Sequence, residues 1–136
     1  MRRVIGMVRL VALAGLVAFA VCSCNGGVGD VIATEDDSGE TMTLQMGQAL
    51  VVQLKSNPST GYNWEVTDLP SVLEQQGEEI YEQDLGTEGV IGAGGTENFR
   101  FLAVEEGSGE LRLHYVRPWE DSAVIAEEFV LEVVVR

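Results

Sequence analysis

From residue 41 onward, apolar and polar residues alternate at every second position. Met42, Leu44 and Met46 fall on one side, with Thr41, Thr43 and Gln45 on the other. After a turn at Gly47 and Gln48, Leu50, Val52 and Leu54 alternate with Val51, Gln53 and Lys55. A period of two is that of a strand with one buried face. Two such segments joined by a turn predict a hairpin. The same pattern gives strands at 62–66 (Tyr62, Trp64, Val66), 79–83 (Ile80, Tyr81), 99–103 (Phe99, Phe101, Ala103), 111–115 (Leu111, Leu113, Tyr115) and 129–135 (Phe129, Leu131, Val133, Val135), with a short edge strand at 31–34. Turn signals stand at 36–39 and at Gly107, Ser108 and Gly109. No segment keeps an apolar repeat of three and four over helix length. The pattern therefore predicts an all-β chain: an immunoglobulin-like β-sandwich of seven to eight strands, with Trp64 as its central aromatic.

The first residues do not share this pattern. Arg2, Arg3 and Arg9 precede an apolar run over residues 10–21, which reads as an export signal and is short for a membrane span. The run ends in Val21, Cys22, Ser23 and Cys24, similar to a bacterial lipobox with Cys24 as the lipidated residue. A retained anchor, or cleavage nearby with plain secretion, is the simpler alternative. The division is thus a signal peptide over 1–23, a Gly-rich flexible tether over 24–30 and a folded domain over 31–136. The expected location is outside the cytoplasm, on the outer face of a membrane as a lipoprotein or secreted.

The two cysteines, Cys22 and Cys24, both precede the folded domain, so that domain has no disulfide and no thiolate metal site. From Cys24 onward there are 22 acidic residues against five basic ones, a net formal charge of −17. Such a surface repels nucleic acid and anionic lipid, so membrane association is expected only through the lipid. The acids are scattered, which favours a role in solubility.

Three turn-like segments between strands carry the remaining chemistry. In Asn57, Pro58, Ser59, Thr60, Gly61 and Tyr62, the proline fixes its own φ and pushes Asn57 toward an extended conformation. The Asn57 side chain suits an Asx-turn, and Gly61 tolerates positive φ. Gly92, Ala93, Gly94 and Gly95 remove side chains and permit close backbone approach, with no Lys-Ser or Lys-Thr to make a phosphate loop. Arg117, Pro118 and Trp119 end a strand. Arg and Trp are enriched at binding hot spots, although Trp119 folding back on the sandwich and Arg117 pairing with Glu120 or Asp121 is an equal reading. Taken singly, the first two segments are ordinary connections. His114, the single histidine, points away from the apolar face and has the pattern of a surface residue. Ser59 has no patterned base, and the acidic pairs lack the spacing of a calcium loop. No catalytic residue, cofactor or metal is expected.

Jointly the three segments resemble the signature of the chagasin family of cysteine-protease inhibitors: Asn-Pro-(Ser/Thr)-(Ser/Thr)-Gly-(Tyr/Phe), Gly-x-Gly-Gly and Arg-Pro-Trp, the last preceded by the aromatic Tyr115. The resemblance spans about residues 31–136. It implies an immunoglobulin-like inhibitor that wedges the three loops into the cleft of a papain-family cysteine protease; a monomer is expected. It implies that Pro58, Ser59 and Thr60 cover the catalytic Cys–His pair. The Gly92–Gly95 loop would run along the substrate side through backbone contacts, with Trp119 on the leaving-group side. The alternative is an extracytoplasmic adhesion or structural module of the same fold.

Overall fold

The structure, a computed structural model, describes residues 28–86, 90, 92–121 and 124–136. The signal-like run, Cys22, Cys24 and the start of the tether lie outside the described residues. Nine strands are described: β1 (Val31–Thr34), β2 (Thr41–Leu44), β3 (Ala49–Ser56), β4 (Asn63–Asp68), β5 (Leu73–Gln75), β6 (Ile80–Gln83), β7 (Gly95–Ala103), β8 (Gly107–Val116) and β9 (Glu127–Val135). They form two sheets, β1-β3-β7-β5 with β6 also on β7, and β2-β9-β8-β4. Among the described residues there is no α-helix and no helix long and apolar enough to cross a membrane.

The alternation places the core. Leu50, Val52 and Leu54 of β3 and Phe99, Phe101 and Ala103 of β7 are buried from one sheet; Leu111, Leu113, Phe129, Leu131 and Val133 are buried from the other. Trp64 closes the core from β4 at 3 % exposed. Each large apolar side chain so buried contributes roughly 1.5–3 kcal/mol. Inter-sheet packing takes the place of the absent disulfide.

The hairpin expected over β2 and β3 is not formed. β2 pairs in parallel with β9, Leu44 opposite Val135, while β3 pairs antiparallel with β7 in the other sheet. Both strands still turn their apolar residues to the same core. Alternation reports the buried face but not whether the neighbour lies beside the strand or across the core. Met46 also departs from its expected inward place. It lies in the crossing between sheets and is 48 % exposed. Gly107, Ser108 and Gly109 belong to β8 and pair with β9, the turn falling just before them. β5, an unforeseen strand of three residues, pairs with the end of β7.

The ladder registers fix which connections share an end of the sandwich. Ser56, the last residue of β3, sits opposite Gly95, the first of β7. Asn63, the first of β4, sits opposite Val116, the last of β8, and Tyr115 faces Glu127 at the start of β9. The connections β3–β4, β6–β7 and β8–β9 therefore all emerge at one end. β1 begins at the other end, where Val31 faces Leu50, and β9 finishes there, where Val135 faces Gly107.

Candidate functional site

The β3–β4 connection crosses from one sheet to the other and is built around Asn57. Pro58–Thr60 form one 3-10 turn with Asn57 as its cap, and Gly61 closes it at φ 83, a left-handed conformation that glycine adopts without strain. The Asn57 carboxamide oxygen accepts from the Ser59 amide at 3.3 Å and the Ser59 hydroxyl at 2.5 Å. The Asn57 carbonyl accepts from the Thr60 amide at 3.0 Å and its hydroxyl at 2.6 Å. The polar groups of the tip are thus tied to their own loop, while Pro58, Ser59 and Thr60 stay exposed.

The same residues reach the other two loops. Asn57 Nδ2 donates to the Gly92 carbonyl at 3.0 Å. Arg117 Nε donates to the Thr60 carbonyl at 3.1 Å, and Arg117 Nη1 pairs with Glu120 at 2.9 Å. The Trp119 indole lies against Gly61, where an added Cβ would come within 2.1 Å of the ring. Trp119 is nonetheless 69 % exposed. Arg117 thus pairs with Glu120, as one reading expects, and the indole touches the sandwich end while most of its surface stays outward.

An aromatic column joins this end to the core. The Arg117 guanidinium lies 4.3 Å from the Tyr62 ring centroid, Tyr62 stacks on Tyr115 at 5.2 Å, and Tyr115 meets Trp64 at 5.0 Å. Offset aromatic pairs add about 0.5–1.5 kcal/mol beyond their buried area. The Tyr115 hydroxyl accepts from the Asn57 amide at 2.9 Å, and Trp64 Nε1 donates to the Lys55 carbonyl at 2.9 Å. Below the column, the Trp64 amide donates to Glu97 at 2.9 Å. Glu97 is 4 % exposed. Burial raises its pKa above the ordinary carboxylate range, and the Trp64 amide and nearby Ser56 only partly oppose that.

The glycine loop divides. Gly92, at φ 83, and Gly94 stay in the connection, whereas Gly95 opens β7 between Ser56 and Gln83. A Cβ on Gly95 would meet the Glu82 carbonyl at 2.2 Å, so its bare backbone serves the packing of β6 on β7. Asn57, Pro58, Ser59, Thr60, Gly61, Tyr62, Gly92, Ala93, Gly94, Arg117, Pro118 and Trp119 occupy the shared end. Glu97 lies before the apolar alternation that begins at Phe99, inside a strand that starts at Gly95. Extending the alternation back by two residues places it inward, a charge out of pattern. No cluster of metal-ligating side chains occurs among the described residues.

Fold and site together define a β-sandwich that presents three cross-braced loops at one end. Residues 43–133 match the chagasin family of peptidase inhibitors, and the chain belongs to that family. It is 34 % identical to amoebiasin-1 of Entamoeba histolytica over 90 residues, 66 % of this chain and 85 % of that one. It is 29 % identical to chagasin of Trypanosoma cruzi over 102 residues, covering 72 % and 91 % of the two chains. The solution structure of amebosin superposes with a TM-score of 0.66 at 31 % identity, over 79 % of this chain and 98 % of that one. A cysteine protease inhibitor from Entamoeba histolytica superposes with a TM-score of 0.70 at 23 % identity, over 79 % and 96 %. The family is one of peptidase inhibitors and not of enzymes, and membership in it goes against the adhesion reading.

Proposed function

We propose that this protein is a reversible inhibitor of papain-family cysteine proteases, one inhibitor to one enzyme, and that it acts by filling the active-site cleft. The observation that carries this is the bracing of the three loops to one another through Asn57–Gly92, Arg117–Thr60 and Trp119–Gly61. Loops fixed before binding lose little conformational entropy in the complex. Pro58, Ser59 and Thr60 then block the catalytic Cys–His pair, the stretch from Gly92 to Gly95 lies along the substrate side, and Trp119 packs on the leaving-group side. An interface of about 800 Å² per partner is the usual size for protease–inhibitor complexes. Titration of papain with residues 25–136 tests the reading. Stoichiometric, reversible loss of activity is expected, with serine and metalloproteases spared; full papain activity at excess inhibitor refutes it.

We further propose export and attachment through a lipid on Cys24. The entry of the tether into the folded domain supports this: Gly29 and Asp30 are held by Gln48 and Arg100 near the end of the sandwich opposite the loops. A tether from there would leave the loops facing away from the membrane. Mass spectrometry of the mature N-terminus in a membrane fraction decides it; a soluble product with an unmodified amine refutes it.

A further inference from the structure

Glu97 is the one charged side chain buried among the described residues, and it takes no part in the bracing at the loop tips. Burying a carboxylate costs free energy that an apolar residue would not. Its place is the base of the β3–β4 loop. β7 is flanked on both sides there, with Glu97 opposite Leu54 of β3 and Tyr81 of β6. β4, which follows the loop, is an edge strand whose one ladder neighbour is β8. Glu97 reaches across from the other sheet and accepts the Trp64 amide at 2.9 Å. The Trp64 indole makes a second crossing, donating to the Lys55 carbonyl at 2.9 Å. Ser56, the last residue of β3, is buried and has its hydroxyl beside the same carboxylate. Lys55 and Ser56 lead into the loop, and Asn63 and Trp64 lead out of it. Both stems of the loop that carries Pro58, Ser59 and Thr60 therefore converge on Glu97 and Trp64. The contacts continue outward, from Trp64 to the Tyr115 ring and from the Tyr115 hydroxyl to the Asn57 amide.

We infer that Glu97 is a positioning residue for inhibition: it holds the start of β4 against the other sheet, closes the base of the β3–β4 loop, and so fixes where the loop tip meets the protease. The inference rests on the inhibitor reading. Glu97 acts through Trp64 and touches no part of the exposed edge. An apolar residue in its place would leave the Trp64 amide buried without its acceptor, so the stem must shift or admit water. A binding constellation tolerates only about 0.5 Å of such movement before its contacts loosen.

The test compares three variants of residues 25–136, with papain inhibition constants, thermal melts and amide exchange at Trp64 measured for each. Glu97→Met keeps the bulk but offers the amide no oxygen. Glu97→Gln restores an acceptor. Val133→Ala opens a cavity in the core toward the far end of the sandwich and serves as a control for lost stability alone. Glu97→Met is expected to raise the inhibition constant about tenfold or more and to speed Trp64 exchange by a similar factor. Glu97→Gln should stay within about threefold of wild type in both, and Val133→Ala should melt lower yet inhibit within about twofold. Wild-type inhibition by Glu97→Met, equal losses in Glu97→Met and Glu97→Gln, or an equal loss in Val133→Ala overturns the positioning role. If Glu97→Met does not fold, Glu97→Asp takes its place, since the shorter side chain withdraws the acceptor; failure of both to fold assigns Glu97 to the fold and overturns the inference. If the wild-type domain leaves papain fully active, the inhibitor reading falls and the positioning role with it, while Trp64 exchange still reports whether Glu97 holds the stem.

Discussion

The Trp119 indole rests on the bare backbone of Gly61, so close that a Cβ there would overlap the ring, while 69 % of the residue stays exposed. The contact joins the β3–β4 and β8–β9 loops at their tips. It also places a large apolar surface at the rim without burying it in the fold.

Gly61→Ala is therefore expected to displace Trp119 without unfolding the sandwich. The added Cβ meets the ring, and the left-handed φ of 83 costs an alanine about 1–2 kcal/mol. Inhibition of papain should weaken by about 10- to 100-fold. The double variant Gly61→Ala/Trp119→Ala should be less than additive, because both changes act through one contact. Inhibition constants over the full cycle check this; strict additivity would show that the indole position does not depend on Gly61.

Trp119→Ala should cost more than Ser59→Ala. Truncating a central interface Trp costs about 2–4 kcal/mol, roughly 30- to 1,000-fold in affinity, mostly as faster dissociation. The Ser59 hydroxyl is spent on Asn57 within its own loop, so its loss should cost about 1 kcal/mol. Because Trp119 is mostly exposed, its removal should leave the melting temperature nearly unchanged. Surface-binding kinetics together with melts measure both effects.

Asn57 is expected to act as the organiser of the edge. Asn57→Ala loses the cap on Ser59 and the donor to Gly92, with a stability cost of about 0.5–2 kcal/mol and a larger loss of inhibition. Asn57→Asp keeps the acceptor toward Ser59 but presents a second oxygen to the Gly92 carbonyl. If bracing of the glycine loop matters, Asn57→Asp should restore stability more than inhibition. Melting curves and inhibition constants for the two variants separate these roles.

Glu97 should make stability fall as pH rises. Its pKa is higher in the folded protein, where burial disfavours the charge, than in the unfolded chain. The folded state therefore binds the proton more tightly. Stability is lost as pH climbs from the ordinary carboxylate range through the raised value. Gln at this position can still accept the Trp64 amide. Glu97→Gln should thus raise the melting temperature at about pH 7 and change it little at about pH 4. A variant equally destabilised at both would assign the carboxylate a role that the amide cannot fill.

The sequence by itself determined the class of fold and the residues that face the core. Alternation in 50–54, 99–103, 111–115 and 129–135 marks the buried face because a strand repeats every two residues, whatever its neighbours. It also determined the local form of the first loop, since Pro58 and Gly61 act on the chain next to them. Only the tertiary structure decided that β2 and β3 lie in different sheets, because both satisfy the same core. It alone brought Asn57 to Gly92, Arg117 to Thr60 and Trp119 to Gly61, contacts between residues 35 to 58 positions apart. It alone set the Glu97 carboxylate against the Trp64 amide. Those contacts depend on strand register and sheet packing, long-range properties that no local pattern of side chains encodes.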